Sequence, residues 1–228
     1  MNLGFSILII LGTITIYFLA KKFYKRFPFP FFVPIATSTC FIVGILLLTN
    51  NSYSQYMQGG KYIELLLGPA VVAMAFPLYE HRNTLKRHAF AIVASVMSGA
   101  LIGLLSGIYL SLWLEVDEKL IRSLAPKSVT SPVAMDISSL VHGIPSLAAV
   151  YVMIAGISGV VFGPSLLRLV GIKDPIAVGI GYGAAAHGVG MAKALEIGNQ
   201  QGAISSISMI LSAVFASIFG PIIIGLIL

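Results

Sequence analysis

Apolar runs of about 20 residues recur along this chain and constrain its fold more than any other feature. Six clear runs are at residues 3–20, 31–48, 62–79, 89–114, 145–170 and 202–228. Hydrophobic residues make up 57% of the 228 residues and charged residues 10%, and the mean hydropathy is +0.97. A soluble domain averages roughly a quarter charged residues. We therefore expect an all-α polytopic membrane protein, a transmembrane helical bundle with one integral membrane domain over residues 1–228.

The basic residues lie in short loops between the apolar runs, although the net charge of +6 could suggest a nucleic-acid partner. The two clusters are Lys21, Lys22, Lys25 and Arg26, and Arg82, Lys86 and Arg87. Cytoplasmic loops have this distribution under the positive-inside rule, so we expect no nucleic acid and an N-terminus on the outer side. The single cysteine, Cys40, excludes an intrachain disulfide and argues against a Cys-based metal site.

Residues 124–135, LAPKSVTSPVAM, interrupt an apolar region that extends from residue 120 to 141. Pro126 and Pro132 each remove a backbone N–H and clash with the preceding turn, so a helix here breaks or kinks. The polar residues between and beside them are Lys127, Ser128, Thr130 and Ser131. Freed backbone groups and an ammonium are tolerated at membrane depth only against protein or a water-filled cavity. Unwound segments of this kind form the substrate sites of many transporters.

Two interpretations of this first segment remain open. In one, Lys127 pairs with a substrate carboxylate, the hydroxyls donate hydrogen bonds, and the half-helix that starts near Pro132 offers N–H groups to the same anion. In the other, Lys127 extends to the membrane interface and the hydroxyls bond their own helix. Asp136 follows directly, and it neutralises Lys127, binds a cation or caps the break.

A second interrupted segment covers residues 175–198 and is rich in glycine. Its central glycines are Gly181, Gly183, Gly188 and Gly190. Glycines destabilise a continuous helix, so they indicate an unwound turn or a very close helix crossing. His187 titrates near neutral pH when unperturbed, and it either relays a proton that accompanies a monocarboxylate or is a buried, hydrogen-bonded residue. Lys193 and Glu196 can pair on one helical face, as a coupling element or as a surface ion pair.

The number of crossings depends on the two interrupted segments, 120–144 and 175–198. Each crosses as a broken helix or enters and leaves on one side as a re-entrant hairpin, and seven or eight crossings fit the sequence. Residues 66–77 and 123–135 also share an early Gly/Ala-Pro pair and a later proline. Paired interrupted segments are typical of transporters built from repeats, but chance explains this short echo equally well.

The chain carries none of the common enzyme signatures. It has no HExxH, no GxSxG, no Walker-type glycine loop and no Cys/His cluster with metal-ligand spacing. We therefore expect no enzyme, no catalytic residue, no bound metal and no cofactor.

The sequence resembles the LrgB/CidB family of bacterial membrane proteins. The resemblance runs from the first span through PLYEHR (77–82), LAPKSVTSPVAM and GYGAAAHGVGMAKALE (181–196) to the last span. It implies a multi-pass protein of the bacterial inner membrane that works with a small membrane partner of the LrgA/CidA type. We also expect a homo-oligomer, and a dimer is the favoured state.

Two classes of function come with this resemblance. One is antiholin-like or holin-like control of murein hydrolase activity and cell lysis. The other is transport of small carboxylates, because related two-component systems are linked to pyruvate and a plastid relative is linked to glycolate and glycerate. Holins assemble lesions and need no substrate site, whereas the two interrupted polar segments have the features expected of a substrate site. We therefore predict a transporter of a small monocarboxylate such as pyruvate or glycolate. Its predicted substrate-binding residues are Lys127, Ser128, Thr130, Ser131, His187, Gly188 and Gly190, and its predicted ion- or proton-coupling residues are His187, Asp136, Lys193 and Glu196.

Overall fold

A computed structural model describes residues 3–29, 32–66, 69, 72, 75–80 and 82–228, and these residues form helices with no β-strand among them. The predicted all-α class is therefore confirmed. Four helices of the described part are long and apolar enough to cross a membrane: Gly4–Arg26, Lys86–Trp113, Pro145–Leu169 and Asn199–Ile227. The chain divides into two compact units, Met1–Met74 and Ala75–Leu228.

The first unit contains α1 (Leu3–Arg26), α2 (Pro34–Leu48) and α3 (Tyr53–Glu64). The polar link that follows the second predicted span is largely helical, because Ser52 and Gln55 start α3 with a capping box. Gly59 lets α3 approach α1 closely, since a Cβ at this position would lie 2.7 Å from the carbonyl oxygen of Ser6. Residues 67, 68, 70, 71, 73 and 74, which belong to the third predicted span (62–79) and to the first stretch of the sequence echo (66–77), lie outside the described residues.

The second unit holds both interrupted segments. Its helices are α4 (Ala75–Glu80), α5 (Arg82–Trp113), α6 (Glu118–Leu124), α7 (Ser131–Leu140), α8 (Pro145–Leu169), α9 (Pro175–Ile197) and α10 (Asn199–Ile227). The main apolar core of this unit is formed by α5, α6, α7, α8 and α10, with fully buried side chains such as Ile108, Ile121, Ile137 and Val152. This core fixes the first interrupted segment against three long helices.

Helices α6 and α7 form a hairpin, called hairpin 1 (118–140). The Arg122 guanidinium donates to the carbonyl of Val141, and the backbone N–H of Ile144 donates to the Ser123 hydroxyl at 2.7 Å. The last turn of α6 is therefore adjacent to the residues that follow α7, although the two are about 20 positions apart in sequence. The chain turns between the two helices at residues 125–130.

Helix α9 consists of two halves that are separated by a break at His187. The halves form a second hairpin, called hairpin 2 (175–197). A Cβ at Gly190 would meet the Ala186 side chain at 2.7 Å, and Val178 and Tyr182 share a buried cluster with Ala194. Both halves pack on α10. Gly183, in the first half, contacts Ser208, whereas Met191, in the second half, accepts a hydrogen bond from Ser206.

The two hairpins open at opposite ends of the second unit. Hairpin 1 ends where α8 begins, and hairpin 2 begins where α8 ends, and α8 is long enough to cross a membrane. Each hairpin is followed by a long helix, so residues 118–169 and 175–227 repeat one arrangement in opposite directions. The expected seven or eight crossings are not confirmed, since four of the described helices are long and apolar enough to cross a membrane and α9 reverses at His187.

Candidate functional site

The tips of the two hairpins contact one glycine stripe on α5, formed by Gly99, Gly103 and Gly107. Ala184 of hairpin 2 lies 3.9 Å from where a Cβ of Gly99 would be, and Ser128 of hairpin 1 lies 3.2 Å from where a Cβ of Gly103 would be. These glycines are one helical turn apart, which is about 6 Å. The stripe is central in the span Lys86–Trp113, so both hairpins contact α5 on successive turns near the middle of this span.

Lys127 lies at the tip of hairpin 1 and points to α5. Its ammonium donates to the carbonyl oxygen of Gly103 at 2.7 Å, and this approach depends on Gly107, where a Cβ would lie 2.8 Å from Nζ. The described residues form ion pairs between Arg122 and Glu118 and between Lys193 and Glu196, and neither pair includes Lys127. The described chain thus leaves this half-buried positive charge without a carboxylate partner.

Three hydroxyl residues surround the start of α7 in hairpin 1. Thr130 is the N-cap of α7 but makes no side-chain capping bond, and Ser131 and Pro132 begin the helix. Ser128, Thr130 and Ser131 are half-buried. The first N–H groups of a helix have no partner within it, and an uncapped N-terminus can bind an anion. The structure therefore brings the ammonium, the hydroxyls and a free helix end to one tip.

His187 forms the tip of hairpin 2 in a conformation that a side chain rarely adopts, with φ 40° and ψ −129°. Its ring is only 4% exposed, and its Nε2 lies 2.9 Å from the carbonyl oxygen of Val152 on α8. A carbonyl can only accept, so Nε2 carries the proton and Nδ1 is the atom left to gain or lose one. The strained backbone persists because Gly156 leaves room for the ring, since a Cβ there would lie 2.8 Å from it.

The other predicted residues of the second segment divide into two groups. Gly188 and Gly190 both follow the tip at the start of the second half of hairpin 2, and Gly190 is needed for the two halves to pack together. Lys193 and Glu196 form the expected ion pair at 2.9 Å, but they lie toward the open end of hairpin 2, away from its tip. In hairpin 1, Asp136 is exposed on α7 and is not the partner of Lys127.

Buried serines on α10 were not among the predicted site residues. Ser205, Ser208 and Ser212 follow one helical face toward hairpin 2, and each is at most 1% exposed. The hydroxyls of Ser205 and Ser212 have no hydrogen-bond partner. Their spacing of three and four residues within an apolar span is a sequence signal that could have identified them, because hydroxyls at membrane depth need partners.

The sequence profile of the LrgB-like family matches residues 13–226 of the chain. Among curated relatives, the uncharacterized protein YxaC of Bacillus subtilis (strain 168) is 44% identical over 97% of this chain and 96% of its own length. The uncharacterized protein YwbG of the same strain is 40% identical over 92% of this chain and 93% of its own length. The holin-like protein CidB of Staphylococcus aureus (strain Mu50 / ATCC 700699) is 35% identical over 96% of both chains. No solved structure gives a significant match.

The family match covers both hairpins and every residue of the candidate site. Together with the long apolar helices, it shows a multi-pass membrane protein of the holin-like group. The chain belongs to the LrgB-like family.

Proposed function

We propose that the protein transports a small monocarboxylate, such as pyruvate or glycolate, across the bacterial inner membrane. The observation that carries the proposal is the Lys127 ammonium, which has no carboxylate partner among the described residues and lies one turn of α5 from the contact of hairpin 2 with that helix. A buried charge is costly unless it is paired, so a substrate carboxylate would satisfy it. Inverted repeats with broken helices at their interface are the arrangement in which many transporters bind substrates.

In this proposal, the tip of hairpin 1 binds the carboxylate. Lys127 supplies the charge, and Ser128, Thr130, Ser131 and the start of α7 supply hydrogen-bond donors. His187 closes the site from the opposite tip together with Gly188 and Gly190, and its Nδ1 takes up a coupled proton. Asp136 and the Lys193–Glu196 pair lie away from the tips, so the structure supports their predicted coupling role less than that of His187. A small LrgA-type partner and a dimer complete the expected assembly.

A second candidate is an antiholin-like or holin-like regulator of cell lysis without a transport cycle. The names of the relatives favour this candidate, because CidB of Staphylococcus aureus is described as holin-like. A lesion-forming protein needs neither an unpaired cation at mid-depth nor a pair of opposed hairpins, so the geometry favours transport.

The test is uptake of radiolabelled pyruvate into proteoliposomes, with and without an LrgA-type partner. Lys127→Ala should reduce uptake roughly 10- to 100-fold, because the loss of a charge-assisted hydrogen bond costs about 1.5–3 kcal/mol. His187→Ala should also reduce uptake strongly. Lys119→Ala removes an exposed lysine from the same hairpin and should leave uptake unchanged.

Competition with glycolate and with an uncharged molecule of similar size separates the two candidates. Saturable uptake that only carboxylates inhibit supports a carrier. Leakage of a trapped dye that requires the partner and shows no preference among solutes would support the lysis regulator instead.

A further inference from the structure

Of the five serines on α10, two bond their own helix, Ser206 donates to Met191, and the hydroxyls of Ser205 and Ser212 have no partner. The hydroxyls of Ser208 and Ser217 each donate at 2.8 Å to the carbonyl four residues earlier, which is the usual arrangement for a serine within a helix. Ser212 is 1% exposed, yet its hydroxyl has no partner. A buried hydroxyl without a partner costs about 1–3 kcal/mol, so an unfilled ligand position is a physical reason for this arrangement.

Helical spacing places Ser212 on the face of α10 that packs on hairpin 2, at the level of the tip of that hairpin. The first half of α9 and α10 run in the same direction, since Gly179 contacts Ile204 and Gly183 contacts Ser208. Ser212 is one turn beyond Ser208 on the same face, as His187 is one turn beyond Gly183. The hydroxyl of Ser212 is therefore level with the point at which the first half of α9 ends.

The end of that half-helix is electronegative. The last four carbonyls of a helix have no partner within it, and they carry the negative end of the helix dipole. In broken transporter helices, such carbonyl ends coordinate small cations. No group of three or more His, Cys, Asp or Glu side chains is present among the residues that the structure describes, so any cation here would be held by uncharged oxygens. Such oxygens suit hard cations rather than transition metals.

We propose that the Ser212 hydroxyl and the carbonyl end of the first half of α9 form a binding site for a monovalent alkali cation. This site lies beside the tip of hairpin 2 and would bind a cation. The proposed carboxylate site lies around Lys127 at the tip of hairpin 1 and would bind an anion. A bound cation would draw the hairpin 2 tip and α10 together. The inference goes beyond the proposed function, because cation binding by these groups does not require that a carboxylate be carried.

The experiment is thermal unfolding of the purified full-length protein in detergent, without any carboxylate. The salts are sodium chloride, potassium chloride and N-methyl-D-glucamine chloride at equal ionic strength. A ligand that binds only the folded state raises Tm in a saturable way. Wild type should unfold a few degrees higher in one of the alkali salts than in N-methyl-D-glucamine, and Ser212→Ala should unfold at the same temperature in all three.

Ser217→Ala is the matched control, because Ser217 is exposed on the same helix and its hydroxyl is already bonded. This variant should keep the wild-type response to alkali salt. In N-methyl-D-glucamine, Ser212→Ala should be at least as stable as wild type, since it removes a buried hydroxyl that has no partner. Equal Tm values for wild type in all salts, or an unchanged response in Ser212→Ala, would overturn the proposal. Failure of pyruvate uptake would leave it standing, because this measurement contains no substrate.

Discussion

Individual glycines determine how closely hairpin 2 approaches α10. At Gly183 a Cβ would lie 2.7 Å from the Ser208 Cβ and closer still to the backbone of Ser205, which cannot move aside. Gly183→Ala should therefore destabilise the protein by about 1–3 kcal/mol, the usual cost of overpacking. Its control is Gly181→Ala in the same half-helix, where no atom lies within 4 Å of the added Cβ. Gly181→Ala should be neutral or stabilising by up to about 1 kcal/mol, because alanine favours the helix. Thermal unfolding in detergent measures both, and equal destabilisation by the two substitutions would contradict the close packing at Gly183.

The same scale shows what sequence reasoning could identify at the site. Lys127, its hydroxyl neighbours and His187 were recognised because each is a polar residue beside a helix-breaking proline or glycine. Ser212 was missed because it lies in an apolar run without a break, where a serine commonly bonds its own helix. Ser212 is buried without a partner, whereas Ser217 is exposed and bonded, and burial depends on packing between residues distant in sequence.

At the scale of elements, the reversal of hairpin 1 can be tested directly. A Cβ at Gly143 would lie 3.0 Å from the Ser123 hydroxyl, a separation across which two cysteines can form a disulfide. In a continuous helix these residues, 20 positions apart, would be separated by about 30 Å. With Cys40 replaced by alanine, Ser123→Cys/Gly143→Cys should form an intrachain disulfide, detected as a mobility shift that reductant reverses. The two single-cysteine variants serve as controls. A pair that stays reduced under oxidising conditions would favour a crossing helix.

The positions of the breaks could be predicted from sequence, but the path of the chain after each break could not. Pro126 and Pro132 bracket the turn of hairpin 1, and the glycines around His187 mark that of hairpin 2. A break permits either a kinked crossing or a reversal. The choice is made by long-range contacts such as Arg122 with Val141 and Ser206 with Met191, which no local pattern encodes.

At the scale of the whole molecule, the opposed hairpins predict the sidedness of the loops that join them. Lys119 lies in the first turn of hairpin 1. Lys173 precedes hairpin 2, and Gln200 follows hairpin 2. All three residues are exposed. Single cysteines are introduced at these positions in a variant that lacks Cys40. The cysteine at position 119 should react with an impermeant maleimide from one face of the membrane, and the cysteines at positions 173 and 200 should react from the other face. Right-side-out and inverted membrane vesicles allow each face to be tested. Opposite sidedness of 173 and 200 would mean that the second segment crosses the membrane.

The inverted arrangement of residues 118–169 and 175–227 has a consequence for the free-energy landscape of the protein. Two halves of similar architecture and opposite direction can exchange conformations, and the exchange moves the opening of the site from one face of the membrane to the other. If the halves were identical, the two states would have equal energy. They differ at the tips, where hairpin 1 turns over residues 125–130 and hairpin 2 turns at His187 alone. We expect this difference in turn length to favour the conformation whose site opens to one face of the membrane. A ligand then shifts the equilibrium when its differential binding free energy exceeds the free-energy difference that the two turns create.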